Sequence, residues 1–160
     1  MITTTKEKDM SPALLKRLLQ IPNVTMIKES TGDVQRMHYL RKELGEDVAF
    51  YNGSNPLALA AFAAGANGWC IAAPNLIPEL NLDLYCVVDS NNYEAARDIF
   101  YRQLHLLQFI VSKGLPRAIK AGLELTGASA GYLRSPLKPL TAEETEQLRG
   151  ILRECAEEVV

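Results

Sequence analysis

The chain is poor in the residues that build metal centres and disulfide frameworks. Among its 160 residues are two histidines, His38 and His105, and three cysteines, Cys70, Cys86 and Cys155. Each histidine falls inside a helical pattern, where a packing or surface role is the simplest reading. The cysteines are far apart and form no CxxC pair, so a metal site has little support and reduced core thiols are expected. An excess of positive charge is also missing: Lys+Arg 17 against Asp+Glu 19 leaves a net charge of −2. With no basic stripe, nucleic acid is not an expected partner. No apolar run is long enough to span a bilayer, so no membrane role is expected. The opening residues, Met1 to Met10, are polar and charged and show no signal-peptide pattern, which makes the cytoplasm the expected location. What remains is a chain with 48% hydrophobic and 22% charged residues, the balance of a globular protein able to bury a core.

Read for periodicity, residues 1–10 carry none and are expected to be an irregular tail. Ser11-Pro12 pairs an N-cap residue with proline at the first helical position, and Leu14, Leu15, Leu18 and Leu19 supply an apolar face that ends before Pro22. A strand is expected over Val24–Glu29. A helix then starts at Asp33, carries Val34, Met37, Leu40 and Leu44 on one stripe, and stops at Gly45. Val48–Tyr51 reads as a second strand, and Asn52-Gly53-Ser54-Asn55-Pro56 turns out of it. An Ala-rich helix over Leu57–Ala64 closes at Gly65, and Gly68–Ala73 reads as a third strand. Strands alternating with helices through short loops predict parallel βα units over 11–77, with functional residues at the carboxyl ends of the strands. After Pro78 the pattern is helical only. Helices are expected over Leu80–Asp89, Tyr93–Lys113, Leu115–Leu125 and, behind a Thr141-Ala142-Glu143-Glu144 capping box, from Thr141 to about Glu158. The helical region is thus 78–160, suited to a scaffold or an oligomer contact.

The stretch with chemistry in it is Val24-Thr25-Met26-Ile27-Lys28-Glu29-Ser30-Thr31-Gly32-Asp33. A two-residue period puts Met26, Lys28 and Ser30 on one face of the strand and Ile27 and Glu29 on the other. Burial disfavours the charged form of a lysine, and a free amine at a strand end is a nucleophile toward carbonyl carbon. The competing reading is a lysine that snorkels into water. Ser30 has two readings as well, a hydrogen-bond donor to a bound carbonyl or carboxylate, or a cap for the helix at Asp33. Asp33 itself reads as a helix-start residue answering the helix dipole. Gly65-Ala66-Asn67-Gly68 lacks the Lys-Ser/Thr pair of a phosphate loop and reads as a tight turn.

The Ile-Lys-Glu-Ser-Thr-Gly-Asp run, the Tyr-Asn-Gly-Ser turn and Gly65-Ala66-Asn67-Gly68-Trp69, in this order, resemble the dihydrodipicolinate synthase and N-acetylneuraminate lyase family of class I aldolases. Lys113-Gly114-Leu115-Pro116-Arg117 and Arg134-Ser135-Pro136-Leu137-Lys138-Pro139-Leu140 resemble that family's C-terminal helical region, so the likeness runs from about Ser11 to the end. The resemblance implies a partial (β/α)8 barrel, its three strands equivalent to the sixth, seventh and eighth, followed by helices. It implies that Lys28 forms an imine with pyruvate or a related 2-oxo acid, on the way to making or breaking a carbon–carbon bond or to dehydrating or deaminating a keto acid, with Ser30, Gly53, Asn55 and Ala72 lining the pocket mouth. No metal or organic cofactor is implied, because the protonated imine is the electron sink. A homo-oligomer, a tetramer by resemblance, is the implied assembly.

The chain also departs from the family. A whole barrel takes eight strands and about 250 residues. The glycine of the Gly-Thr-Thr loop that holds the substrate carboxylate is missing before Thr3-Thr4-Thr5, and neither Tyr51 nor Tyr39 has the context of the relay tyrosine on the fifth strand. Such a tyrosine contributes roughly 10² to 10⁴ in rate. The chain therefore reads as the lysine-bearing portion of a longer lyase, incomplete alone and in need of a complementing chain or self-association. The alternative is a noncatalytic scaffold or assembly partner. After Gly53, the residues Ser54-Asn55-Pro56-Leu57 carry none of the carboxylates with which sialic-acid lyases hold sugar hydroxyls, and Ala72 and Ala73 offer no hydroxyl. A short 2-oxo acid, a 2-keto-3-deoxy sugar acid or a hydroxyproline-derived imine is expected rather than sialic acid.

Overall fold

The computed structural model describes residues 1–156. The chain divides into two units, Met1–Ile71 and a second beginning at Ala72. The first unit is a parallel sheet with helices. Its strands, β1 (Ile2–Thr5), β2 (Met26–Ser30), β3 (Ala49–Asn52) and β4 (Gly68–Trp69), lie in sequence order, each parallel to the next. The helices α1 (Pro12–Leu18), α2 (Val34–Leu44) and α3 (Ala58–Ala63) make the connections. Leu15 from α1, Met37 and Leu40 from α2 and Ala61 from α3 close over Ile27 and Phe50 to form the core. Fully burying a side chain of this size contributes about 1.5–3 kcal/mol, so the sheet face that carries Ile27 and Phe50 is fixed inward.

The residues expected as an irregular tail over 1–10 instead open with β1. Thr3, Thr4 and Thr5 pair with Lys28, Glu29 and Ser30. Their hydroxyls disguise a β-branched run suited to a strand, and Thr4 is fully buried with its Oγ1 donating to Glu29 Oε2 at 2.7 Å. Other boundaries move less. Ser11 caps α1, accepting from Leu14 N, and Gly45 ends α2. The third expected strand is shorter than its apolar run, because β3 ends at Asn52, whose side chain turns the chain back on Ser54. Beyond Cys70, whose N–H is held by the Asn52 carbonyl, no β3 backbone remains to pair with.

The second unit starts with a 3-10 turn, Ala73–Asn75, that packs with α4 (Pro78–Asp89), α5 (Tyr93–Lys113) and α6 (Leu115–Leu125). That packing sets its boundary earlier than the 77/78 division expected from periodicity. α5 is the central element and also packs against α7 (Ala142–Ala156), burying Phe100, Leu106, Leu107 and Ile110. The expected end of this last helix at Glu158 lies outside the described residues. Its start is a reciprocal capping box. Thr141 Oγ1 accepts from Glu144 N at 3.1 Å, and Glu144 Oε2 accepts from Thr141 N at 3.0 Å. Lys113 and Arg117 then reach the same carboxylate at 3.1 and 3.2 Å.

Two predictions follow from these helices. The Thr141 backbone bond, then Lys113 and Arg117, hold the Glu144 carboxyl below its usual value of 4.5. A carboxylate with a depressed folded value stabilises the native state above the carboxylate range and loses that contribution as pH falls through the folded value. The thermal midpoint is therefore expected to drop on acidification below about pH 4.5. Glu144→Gln should lower the neutral-pH midpoint and flatten this acid limb. The cysteines, expected together as core thiols, differ in exposure: Cys155 is buried, Cys70 half-buried and Cys86 exposed. Burial and the neighbouring Glu154 charge, partly offset by Arg102, push the Cys155 thiol up to about 11. Under native conditions iodoacetamide should alkylate Cys86 first and Cys155 only after unfolding, read by peptide mass spectrometry.

Candidate active site

β2 alternates as its composition demands. Ile27 and Glu29 are buried on the helix side, while Met26, Lys28 and Ser30 are half-buried on the other. Lys28 and Ser30 meet at the residue just past the end of β3. A Cβ built on Gly53 would collide with Ser30 Oγ and lie 2.6 Å from Lys28 Cε and 3.0 Å from Ser30 Cβ. Only a residue without a side chain leaves room there for both. The Gly53 N–H is held by the Glu29 carbonyl at 2.6 Å, so the close approach is fixed by backbone as well. Lys28, Ser30 and Gly53, singled out separately in the sequence, thus form one cluster at the carboxyl ends of two neighbouring strands.

The two readings of Ser30 separate clearly. Asp33 caps α2, its Oδ1 accepting from Gln35 N and Arg36 N, and Thr31 Oγ1 accepts from Asp33 N. Ser30 takes no part in this cap, and its buried Oγ has no hydrogen-bond partner. Asn55 follows in a 3-10 turn, Asn55–Leu57, and is buried with an unpartnered Oδ1. A buried polar atom without a partner is costly, and such atoms collect where a ligand or water completes them. Ala72 belongs to the second unit, where it is buried and its carbonyl accepts from Asn75. Among the described residues no group of His, Cys, Asp and Glu could hold a metal ion.

Several residues of this cluster escaped the sequence reading. Tyr51 is the register partner of Lys28. It shares that sheet face, and its ring lies over Gly68, where a Cβ would strike the ring edge. Register is a tertiary fact, so only the period of two in Ala49–Tyr51 hinted at it. Periodicity puts Glu29 on the same face as Ile27 and is silent on its partners. Thr4 Oγ1, Thr31 N and Arg36 Nε donate to it at 2.7, 2.6 and 3.0 Å. A carboxylate among core positions requires such donors, and an arginine on the following helix was the available signal.

Comparison with known proteins places the chain in a family. The sequence model of the dihydrodipicolinate synthetase family matches residues 2–155. A 4-hydroxy-tetrahydrodipicolinate synthase of Ralstonia nicotianae is 32% identical over 147 residues, covering 92% of this chain and 50% of that protein. One from Archaeoglobus fulgidus is 29% identical over 143 residues, covering 89% and 50%. The chain spans about half the length of the curated relatives it matches. Among solved structures, a candidate dihydrodipicolinate synthetase of Pseudomonas aeruginosa superposes with a TM-score of 0.91 at 54% identity, covering 96% of this chain and 54% of that one. A chloride-inhibited dihydrodipicolinate synthase of Acinetobacter baumannii, solved with pyruvate, gives 0.89 at 26% identity, again covering 96% and 54%.

The unpartnered hydroxyl generates a stability test. Ser30→Ala removes no hydrogen bond and should leave the urea unfolding midpoint unchanged or slightly raised. Asn52→Ala strips both backbone bonds from Ser54 and should destabilise by about 1–3 kcal/mol. Equal losses in the two variants would mean that Ser30 serves the fold and is not free for a ligand.

Proposed function

Because the chain belongs to the dihydrodipicolinate synthetase family, we propose that it is the lysine-bearing portion of a Schiff-base lyase acting on pyruvate or a related 2-oxo acid, with Lys28 as the nucleophile. The observation that carries this reading is the convergence of Lys28 and Ser30 on the bare Cα of Gly53. The Lys28 amine adds to the keto carbon of the substrate, and the resulting carbinolamine loses water to give a protonated imine. That imine withdraws electrons from the adjacent carbon, so a proton leaves it and an enamine forms. The enamine attacks a second carbonyl to make a carbon–carbon bond, and the reverse sequence breaks one. The electron sink is made from lysine and substrate, and the reaction needs no metal or organic cofactor. Ser30 donates its free hydroxyl to the substrate carboxylate or carbonyl, and the unpartnered Oδ1 of Asn55 supplies an acceptor at the mouth.

By family resemblance β2, β3 and β4 correspond to the sixth, seventh and eighth strands of a barrel, and the parallel pairing of β1 beside β2 supports reading β1 as the strand before them. Among the described residues β1 and β4 each have a free outer edge. Open edges are pairing surfaces, and they support an assembly in which a complementing chain or further copies of this one supply the rest of the barrel. A homo-oligomer, tetrameric by resemblance, is the assembly we favour. Three free thiols fit a reducing compartment, the cytoplasm.

The test is reductive trapping. The protein is incubated with pyruvate and borohydride, its fold checked by circular dichroism, and its peptides read by mass spectrometry. A carboxyethyl adduct on Lys28 is expected, absent in Lys28→Arg and reduced about 10²-fold in Gly53→Ala, whose new methyl displaces the amine. A folded protein with no adduct, or with adducts scattered over surface lysines, would refute Lys28 as the nucleophile of this chain and favour a noncatalytic scaffold.

A further inference from the structure

The buried carboxylate of Glu29 has no part in the imine chemistry, yet the residue sits between Lys28 and Ser30 and is bonded to Thr4, Thr31, Arg36 and, through its main chain, Gly53. Its side chain is 1% exposed, on the core face beside Ile27, where a cation-paired carboxylate is harder to hold than a leucine of similar volume. Four segments meet on this residue. Thr4 of β1 donates to Oε2 at 2.7 Å. The backbone of Thr31, in the exit turn of β2, donates to Oε1 at 2.6 Å. Arg36 of α2 donates through Nε to Oε2 at 3.0 Å and extends on to Asp9 Oδ1 and the Met10 carbonyl, both at 2.7 Å. The Glu29 main-chain carbonyl receives the N–H of Gly53 at 2.6 Å.

We propose that Glu29 is a positioning residue: its bonds to Thr4, Thr31, Arg36 and Gly53 set the mutual placement of Lys28, Ser30 and Gly53. The geometry leaves little slack. Lys28 precedes Glu29 and Ser30 follows it, so a rotation of β2 at this residue swings both side chains across the open face. Gly53 hangs from the same peptide carbonyl, and the exit turn from the same carboxylate. A leucine at this position would fill the core but would leave the Thr31 amide and Arg36 Nε without the acceptor they have here. The carboxylate is thus explained by the site at the strand end rather than by core stability. This proposal rests on the reading of Lys28 as the nucleophile for its catalytic consequence, though not for its structural one.

The experiment uses the whole chain and two independent readouts. Hydrogen exchange, resolved by NMR, follows the Thr31 and Gly53 amides. Reductive trapping follows the pyruvate dependence of adduct formation at Lys28, with Lys42 as an internal surface standard. In folded Glu29→Ala, both amides should exchange at least tenfold faster than in the wild type. The maximal trapping rate at Lys28 should fall about 10²-fold, as expected when a reacting group is displaced by about 1 Å, while Lys42 keeps its rate. Glu29→Gln retains an oxygen for the Thr31 amide and should recover most of the protection and part of the rate. Should Glu29→Ala fail to fold, Thr4→Val, which removes one donor at nearly constant volume, should move both readouts in the same direction by a smaller amount. Unchanged Thr31 and Gly53 exchange in a folded variant would overturn the proposal, as would an unchanged trapping rate in a variant of a wild type that traps. A wild type that traps nothing would refute the nucleophile reading alone. Faster exchange at both amides in the variants would then still support Glu29 as the positioning residue.

Discussion

The period of two in β2 is the constraint on which the rest of the first unit depends. Ile27 is driven inward by the apolar faces of α1, α2 and α3, and each neighbour along the strand is committed by that choice. A slip of one residue would send the Lys28 amine into the core and turn Ile27 outward, losing about 1.5–3 kcal/mol of burial before the stranded charge is counted. The position of the Lys28 amine is therefore inherited from hydrophobic packing on the other side of the sheet. No residue near Lys28 has to hold it out of the core. What its neighbours must do is hold it in place.

Two buried charges anchor the sheet at its opposite ends. At the amino ends of β3 and β4, the Arg41 guanidinium donates to the carbonyls of Gly45, Val48 and Gly65 and to the side-chain oxygen of Asn67, and its Cζ lies 5.4 Å from the Phe50 ring centre. Asn67 Oδ1 also accepts from Phe50 N, so the turn before β4 is locked to β3. At the carboxyl ends Glu29 plays the matching part with donors from β1, the exit turn and α2. The two anchors differ in what they leave behind. Around Arg41 the turn carbonyls are satisfied by the protein itself, whereas beyond Glu29 the buried Ser30 Oγ and Asn55 Oδ1 remain unpartnered. In a parallel βα architecture the amino end serves stability and the carboxyl end serves chemistry, and the unpartnered oxygens of Ser30 and Asn55 lie at the carboxyl end of β2 and just past that of β3.

Much of this was legible in the sequence because local signals agreed with one another. Ser11-Pro12, Asp33 and Thr141 each mark the start of a helix through a side chain that the structure shows accepting a backbone N–H. The inward and outward faces of β2, and the choice of Lys28, Ser30 and Gly53, came from periodicity and from resemblance to a family of known chemistry. The failures share a cause. β1 was missed because threonine reads as polar in a pattern search, although its branched Cβ suits a strand and its hydroxyl can serve a buried acceptor. The third strand was drawn too long because an apolar run records burial and not pairing, and its ladder ended where Asn52 turned the chain. The partnerships of Glu29 and Arg41, and the register of Tyr51 with Lys28, join segments that are distant in the chain, and no local pattern encodes them.

The central claim is that one strand sorts its side chains so that Lys28 and Ser30 share an open face while Glu29 is clamped behind it. A crystal structure of the protein after reduction in the presence of pyruvate tests this most directly. The account predicts continuous density from Lys28 Nζ into a carboxyethyl group lying beside Ser30 and Gly53, with Glu29 still bonded to Thr4, Thr31 and Arg36. An unmodified Lys28 with the adduct on another lysine, or a Glu29 carboxylate turned to the open face, would contradict it.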